Sequence, residues 1–277
     1  MKCYDDPHIM QNFIYTMNDY NIRNKIMKYH IKNANKSDSH QWLGTWTLYQ
    51  NKNNKFLFKD VDPLFSSIKI STDTPFPDFL SKMKKKLSLY PVSVFTVCLV
   101  YDQYLVHFVS FIYLSKEKLL ISFDSGIEIY HHGQDTIVPY IQTQFKKYSL
   151  TNNNHYPNLG RCKHFRWKGK YMGLQFTGME ESPDAFCQSW TIYFLVRFLY
   201  SGFSISHKQH LQTLFQFVND WCKINPKKRA MMLTENFIIP VLLFFPDVLK
   251  HLKKLTSYND NAVLIHHIIT PAQKCRN

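Results

Sequence analysis

Apolar positions along the chain change their period twice, and each change predicts a different kind of element. From Met1 to about Leu89, Ile9, Met10, Phe13, Ile14 and Met17 recur at helical spacing within an Asn-, Lys- and Asp-rich background, which predicts a helix. The segment Phe76 to Leu87 also reads as a helix, because Lys82, Lys84, Lys85 and Lys86 gather at its end, where positive charge suits the dipole. Between Pro91 and Phe123 the composition shifts to Val, Ile, Phe, Tyr, Leu and Thr, with polar breaks at Asp102-Gln103 and Ser115 to Lys118. Three consecutive strands follow from this: Ser93 to Tyr101, Tyr104 to Leu114 and Leu119 to Phe123. The middle one is apolar on both faces, so it belongs inside a sheet rather than at its edge.

Gln134 to Lys147 reads as a helix, and the polar loop Thr151 to Asn158 leads to a basic-aromatic strand pair, Lys163 to Trp167 and Tyr171 to Phe176. Beyond Asp184 the pattern is helical: Phe186 to Ser201 almost wholly apolar, Lys208 to Trp221 amphipathic, and further helices over Ala230 to Leu255. Pro226 to Arg229 reads as a basic loop between them. The expectation is an α+β fold with a helical N-terminal extension over residues 1–89 and one principal domain over 90–277.

The chain has 277 residues, 45% of them apolar and 16% aromatic, enough for a substantial core. Its formal charge of +14 favours polyanionic partners such as nucleic acid or acidic protein, though solvated Lys-rich faces account for it equally. The basic runs Lys82 to Lys86, Arg161 to Lys170 and Lys227 to Arg229 read most simply as solvated faces, and the second, interleaved with Phe165, Trp167 and Tyr171, also has the composition of a nucleic-acid contact. The apolar runs Trp190 to Tyr200 and Phe237 to Phe245 are about half the ~20 residues of a bilayer span, so they are expected as core helices and no transmembrane segment is expected. Six widely spread cysteines, with no secretory leader before them, are expected to be reduced thiols in a protein that is not secreted. Cys162-Lys163-His164 lacks a second pair at metal-ligand spacing, and no glycine-rich phosphate loop occurs, so no cofactor is expected.

Three residues carry the candidate chemistry. If Asp184 caps the helix that follows, Cys187 is its third residue, where free N–H groups and the helix dipole stabilise a thiolate. A start at Ser182-Pro183 places it deeper, and a buried cysteine also serves as a small apolar residue. His107 lies in an apolar strand, where it is either a satisfied core residue or a base. A hairpin closing with Leu114 opposite Leu119 puts Asp124 opposite Val109, on the strand face of His107, with the pair ~7–8 Å apart at Cα. A register one residue different would separate them.

The blocks His107-Phe108, Phe123-Asp124-Ser125 and Asp184-Ala185-Phe186-Cys187 resemble the Ulp/adenain-like cysteine proteases, which comprise the SUMO-specific proteases, the adenovirus processing protease and relatives in large DNA viruses. The resemblance covers about Val92 to Gly202, including the interval of 17 from His107 to Asp124 and the Cys187-x-x-Trp190 spacing. Where many members have Trp after the His and Gly after the Cys, this chain has Phe108 and Gln188. It implies a papain-like protease core, a central mixed sheet flanked by helices, with Cys187 as nucleophile, His107 as general base and acid, Asp124 as orienter and Gln175 as oxyanion donor. It further implies a viral endopeptidase processing polyprotein or capsid precursors in the host cytoplasm, viral factory or virion. A deubiquitinase or deSUMOylase, and a non-enzymatic basic virion or nucleic-acid-binding protein, are the alternatives.

Overall fold

A computed structural model describes residues 20–50, 56–61, 74–100, 106–126, 134–152, 159–167, 170–175, 187–201 and 207–245. The amphipathic stretch at Ile9 to Met17, the cap at Asp184 and the chain beyond 245 lie outside them. The fold is α+β. Helix α1 (Tyr20–Asn33) precedes strands β1 (His40–Gln50) and β2 (Phe56–Val61), followed by α2 (Phe76–Leu87), β3 (Val92–Val100), β4 (Val106–Leu114) and β5 (Leu119–Phe123). Then come α3 (Gln134–Lys147), β6 (Arg161–Trp167), β7 (Lys170–Gly173), α4 (Cys187–Tyr200), α5 (His207–Lys223) and α6 (Pro226–Leu233). A π-helical turn, Thr234–Ile238, joins α6 to α7 (Ile239–Phe244).

Five strands form one mixed sheet in the order β2-β1-β3-β4-β5, with β1 and β3 parallel and the other pairs antiparallel. The alternation of side chains divides the core in two. Val94, Ile112, Ile121 and Phe123 meet α1, α4 and α5 on one face, while Phe95, Val97, Val109 and Phe111 meet α2 and α3 on the other. Both faces being covered explains why β4 carries apolar residues on both of its faces. β4 lies between β3 and β5, and Leu114 pairs with Leu119, the register expected from the hairpin.

Residues before 90 are woven into this sheet rather than added to it. β1 lies between β2 and β3, and Trp46 stacks on Phe95 with ring centroids 3.9 Å apart. The compositional change near residue 89 therefore coincides with no break in the sheet, because Trp42, Leu43, Trp46 and Leu48 of β1 are all buried. A bulge between Trp42 and Thr45 contains Gly44, at a left-handed φ of 75°, and rephases β1 so that Thr45 pairs with Thr96.

Three further expectations are corrected. Cys162 and Cys222 form a disulfide, so not all the thiols are reduced; Cys98 and Cys187 are in no disulfide. Pro226 to Arg229 is the first turn of α6 rather than a loop, consistent with proline at a helix start. Arg229 is 1% exposed instead of solvated, donating to the carbonyls of Cys222, Ile224 and Gly173. The second strand of the β6–β7 pair stops at Gly173, so Gln175 stands beyond it. Among the described residues no helix is long and apolar enough to cross a membrane.

Candidate active site

The start of β4, the residues after β5 and the start of α4 converge on one imidazole. His107 Nε2 donates to Asp124 Oδ1 at 2.7 Å, and both residues are buried. The register accounts for this: Ser110 pairs with Phe123, so Asp124 is the first residue past the strand, on the face His107 occupies. Gly126 N–H donates to the same Oδ1 at 2.8 Å.

Burial opposes the charge on Asp124, but His107, the Gly126 amide and Arg161 together hold its carboxyl below 3.8. Burial likewise acts to lower His107. The Asp124 carboxylate and, behind it, a hydrogen bond and charge from Cys187 reverse the outcome and raise it to about 10. The sulfur is thus the second partner of the ring, and with Nε2 committed to Asp124 the nitrogen remaining for it is Nδ1. Cys187 is the first described residue of α4 and clusters with Phe108 and Cys98.

Gln175 is fixed one residue away from this pair. Its backbone N–H donates to Ser125 O at 3.1 Å, and Ser125 Oγ donates to its Oε1 at 2.9 Å. Pinning Oε1 orients the side-chain amide so that its NH2 group is the end that can donate elsewhere.

The turn carrying Asp124, Ser125 and Gly126 is clasped by glycines that the sequence reading did not single out. A Cβ at Gly160 would strike the backbone carbonyl of Asp124, and one at Gly173 the carbonyl of Gly126. Only a residue without Cβ allows the β6–β7 hairpin this close. Arg229 and the Cys162–Cys222 disulfide tie the same hairpin to α5 and α6. With only 8 glycines in the chain, two of them bracketing a basic hairpin was the signal available in the sequence.

All four predicted residues are therefore buried in the neighbourhood of one turn, and His107, Asp124 and Cys187 interact directly. Such a group can shuttle a proton between a sulfur and a reacting atom with the imidazole held by a carboxylate. Among the described residues no group of His, Cys, Asp and Glu could hold a metal ion, and Cys162 is engaged in its disulfide. A groove of about 740 Å³ between α4 and α5, lined by Tyr193, Phe217 and Trp221 among others, contains none of the four. The side chains of the basic-aromatic stretch from 163 to 172 lie outside the described residues. No protein-family model and no curated protein matches this chain.

Proposed function

We propose that the protein is a cysteine endopeptidase of the papain-like, Ulp/adenain kind. The observation that carries the reading is the His107 ring held between the Asp124 carboxylate and the Cys187 sulfur in a buried site. In the proposed reaction Sγ of Cys187 gives its proton to Nδ1 of His107 and attacks the peptide carbonyl. The oxyanion is stabilised by the Gln175 amide and the Cys187 backbone N–H, and Nδ1–H then protonates the leaving amine. Water, activated by the same nitrogen, hydrolyses the thioester. Asp124 stays ionised throughout and fixes the ring through Nε2. The resemblance makes viral structural precursors the substrates, with the host cytoplasm, viral factory or virion as the place of action and the basic surface suited to a particle rich in nucleic acid.

Purified full chain treated with a peptide vinyl sulfone should be labelled at Cys187, and labelling should vanish in His107→Ala. Gln175→Ala should slow turnover by ~100-fold or more, the usual effect of losing one oxyanion donor. Parallel digestion of precursor peptides and of ubiquitin and SUMO fusions separates an endopeptidase from a deubiquitinase or deSUMOylase. Labelling that is indifferent to His107, together with no cleavage of any of these, would leave the non-enzymatic basic protein.

A further inference from the structure

The catalytic assignment uses Cys187, His107, Asp124 and Gln175 and leaves aside a buried cation next to them. Arg23, on α1, is only 5% exposed although its guanidinium is permanently charged. Its guanidinium carbon lies 5.4 Å from the centre of the Phe108 ring, within cation–π range. Its Nε–H donates to Thr45 Oγ1 at 3.1 Å, and that hydroxyl is 2.8 Å from Thr96 Oγ1. Phe108 in turn forms, with Cys98 and Cys187, a small apolar cluster apart from the two large cores. The guanidinium and the Cys187 sulfur thus both border the cluster that contains the Phe108 ring, where Cys98 is the residue paired with Phe108 across β3 and β4.

Burying a cation is costly unless geometry and hydrogen bonds offset it, and an apolar residue at position 23 would serve packing alone as well or better. Arginine does what neither Met nor Lys can do at once: it lays a flat cation along an aromatic face while an in-plane N–H reaches a hydroxyl. We propose that Arg23 is a positioning residue of the active centre. Stacked on Phe108, it holds that ring against Cys187 and with it the backbone of His107, one residue earlier. The inference rests on the catalytic reading for what is being positioned, but its test reads the sulfur itself.

The test is the rate at which iodoacetamide alkylates Cys187 in the folded full chain, followed by peptide mass, with near-ultraviolet circular dichroism confirming the fold of each variant. Arg23→Met should slow alkylation about tenfold or more and Arg23→Lys about threefold, since an ammonium cannot both stack and reach Thr45. In a Phe108→Leu background either substitution should add nothing, because the ring through which Arg23 acts is gone. A purely structural residue would lower the melting temperature and leave the rate in folded molecules unchanged. Wild-type rates in the folded variants, or effects that add to that of Phe108→Leu, overturn the proposal, and where Arg23→Met does not fold the Arg23→Lys cycle decides. Slowed alkylation in a protein that cuts no peptide or fusion would uphold Arg23 and sink the endopeptidase.

Discussion

Gly126→Ala isolates the placement of the imidazole from every other property of the site. A Cβ at this position lies 2.8 Å from His107 Cε1, 3.1 Å from Nε2 and 3.0 Å from Asp124 Oδ1. Carbon–carbon contacts are comfortable at about 3.5–4.0 Å, so the ring must retreat by about 0.7 Å or more. It cannot do so freely, because Nε2 is held at 2.7 Å by the same Oδ1 that the methyl group crowds. Backbone strain does not enter, since Gly126 does not use the left-handed region. A displacement approaching 1 Å costs on the order of 100-fold in rate, or about 2.7 kcal/mol of barrier. Peptide hydrolysis, or the alkylation rate of Cys187 if a substrate has yet to be found, should fall by about that factor while the melting temperature moves only a few degrees. A folded Gly126→Ala protein within about threefold of wild type would show that the ring position does not govern the chemistry. Gly160→Ala and Gly173→Ala, whose methyl groups would meet backbone rather than a side chain, should instead lose the folded state.

Three further outcomes follow from the same contacts. Because the folded His107 titrates at about 10 against 6.5 unfolded, its contribution to stability is complete below 6.5 and is lost as pH rises through about 10; that of Asp124, held below 3.8, is present above 3.8 and lost in acid. Urea melts of wild type and His107→Gln should therefore differ most between those limits and converge towards pH 10, and a constant difference from pH 6 to 10 would contradict the pairing. Arg229→Met leaves three carbonyls without their charged donor and should cost about 3 kcal/mol, lowering the melting temperature by roughly 6–12 °C, with an unchanged melt as the contrary result. Cys222→Ser opens a bridge of sequence separation 60 and should destabilise the oxidised protein by up to about 4 kcal/mol, a difference that must disappear in dithiothreitol.

Much of the site was legible because its central pair is local. His107 and Asp124 are joined by a hairpin whose tight connection sets the register, and register with side-chain alternation suffices to put both on one face. Cys187 is different. Its place at the start of an apolar helix made it a candidate, but the same segment suits a buried structural cysteine, and only the packing of α4 against β4 brings its sulfur to the ring. Arg229 was read as part of a basic loop because a Pro-Lys-Lys-Arg run looks solvated in one dimension; its carbonyl partners lie on α5, at residue 224 and on β7.

The sequence by itself determined the bounds of α2, α3 and β5 and the register of the β4–β5 hairpin, whose first strand was expected from Tyr104 and is described from Val106, because a repeat of two or near 3.6 decides which side chains share a face. The tertiary structure alone decided that β1 enters between β2 and β3, that Cys162 meets Cys222, that Gly160 and Gly173 clasp the Asp124 turn and that Arg23 lies over Phe108. Each of these joins segments whose own patterns are satisfied by several partners. Which partner is chosen depends on burying both sheet faces at once, a property of the whole chain that no window of it contains.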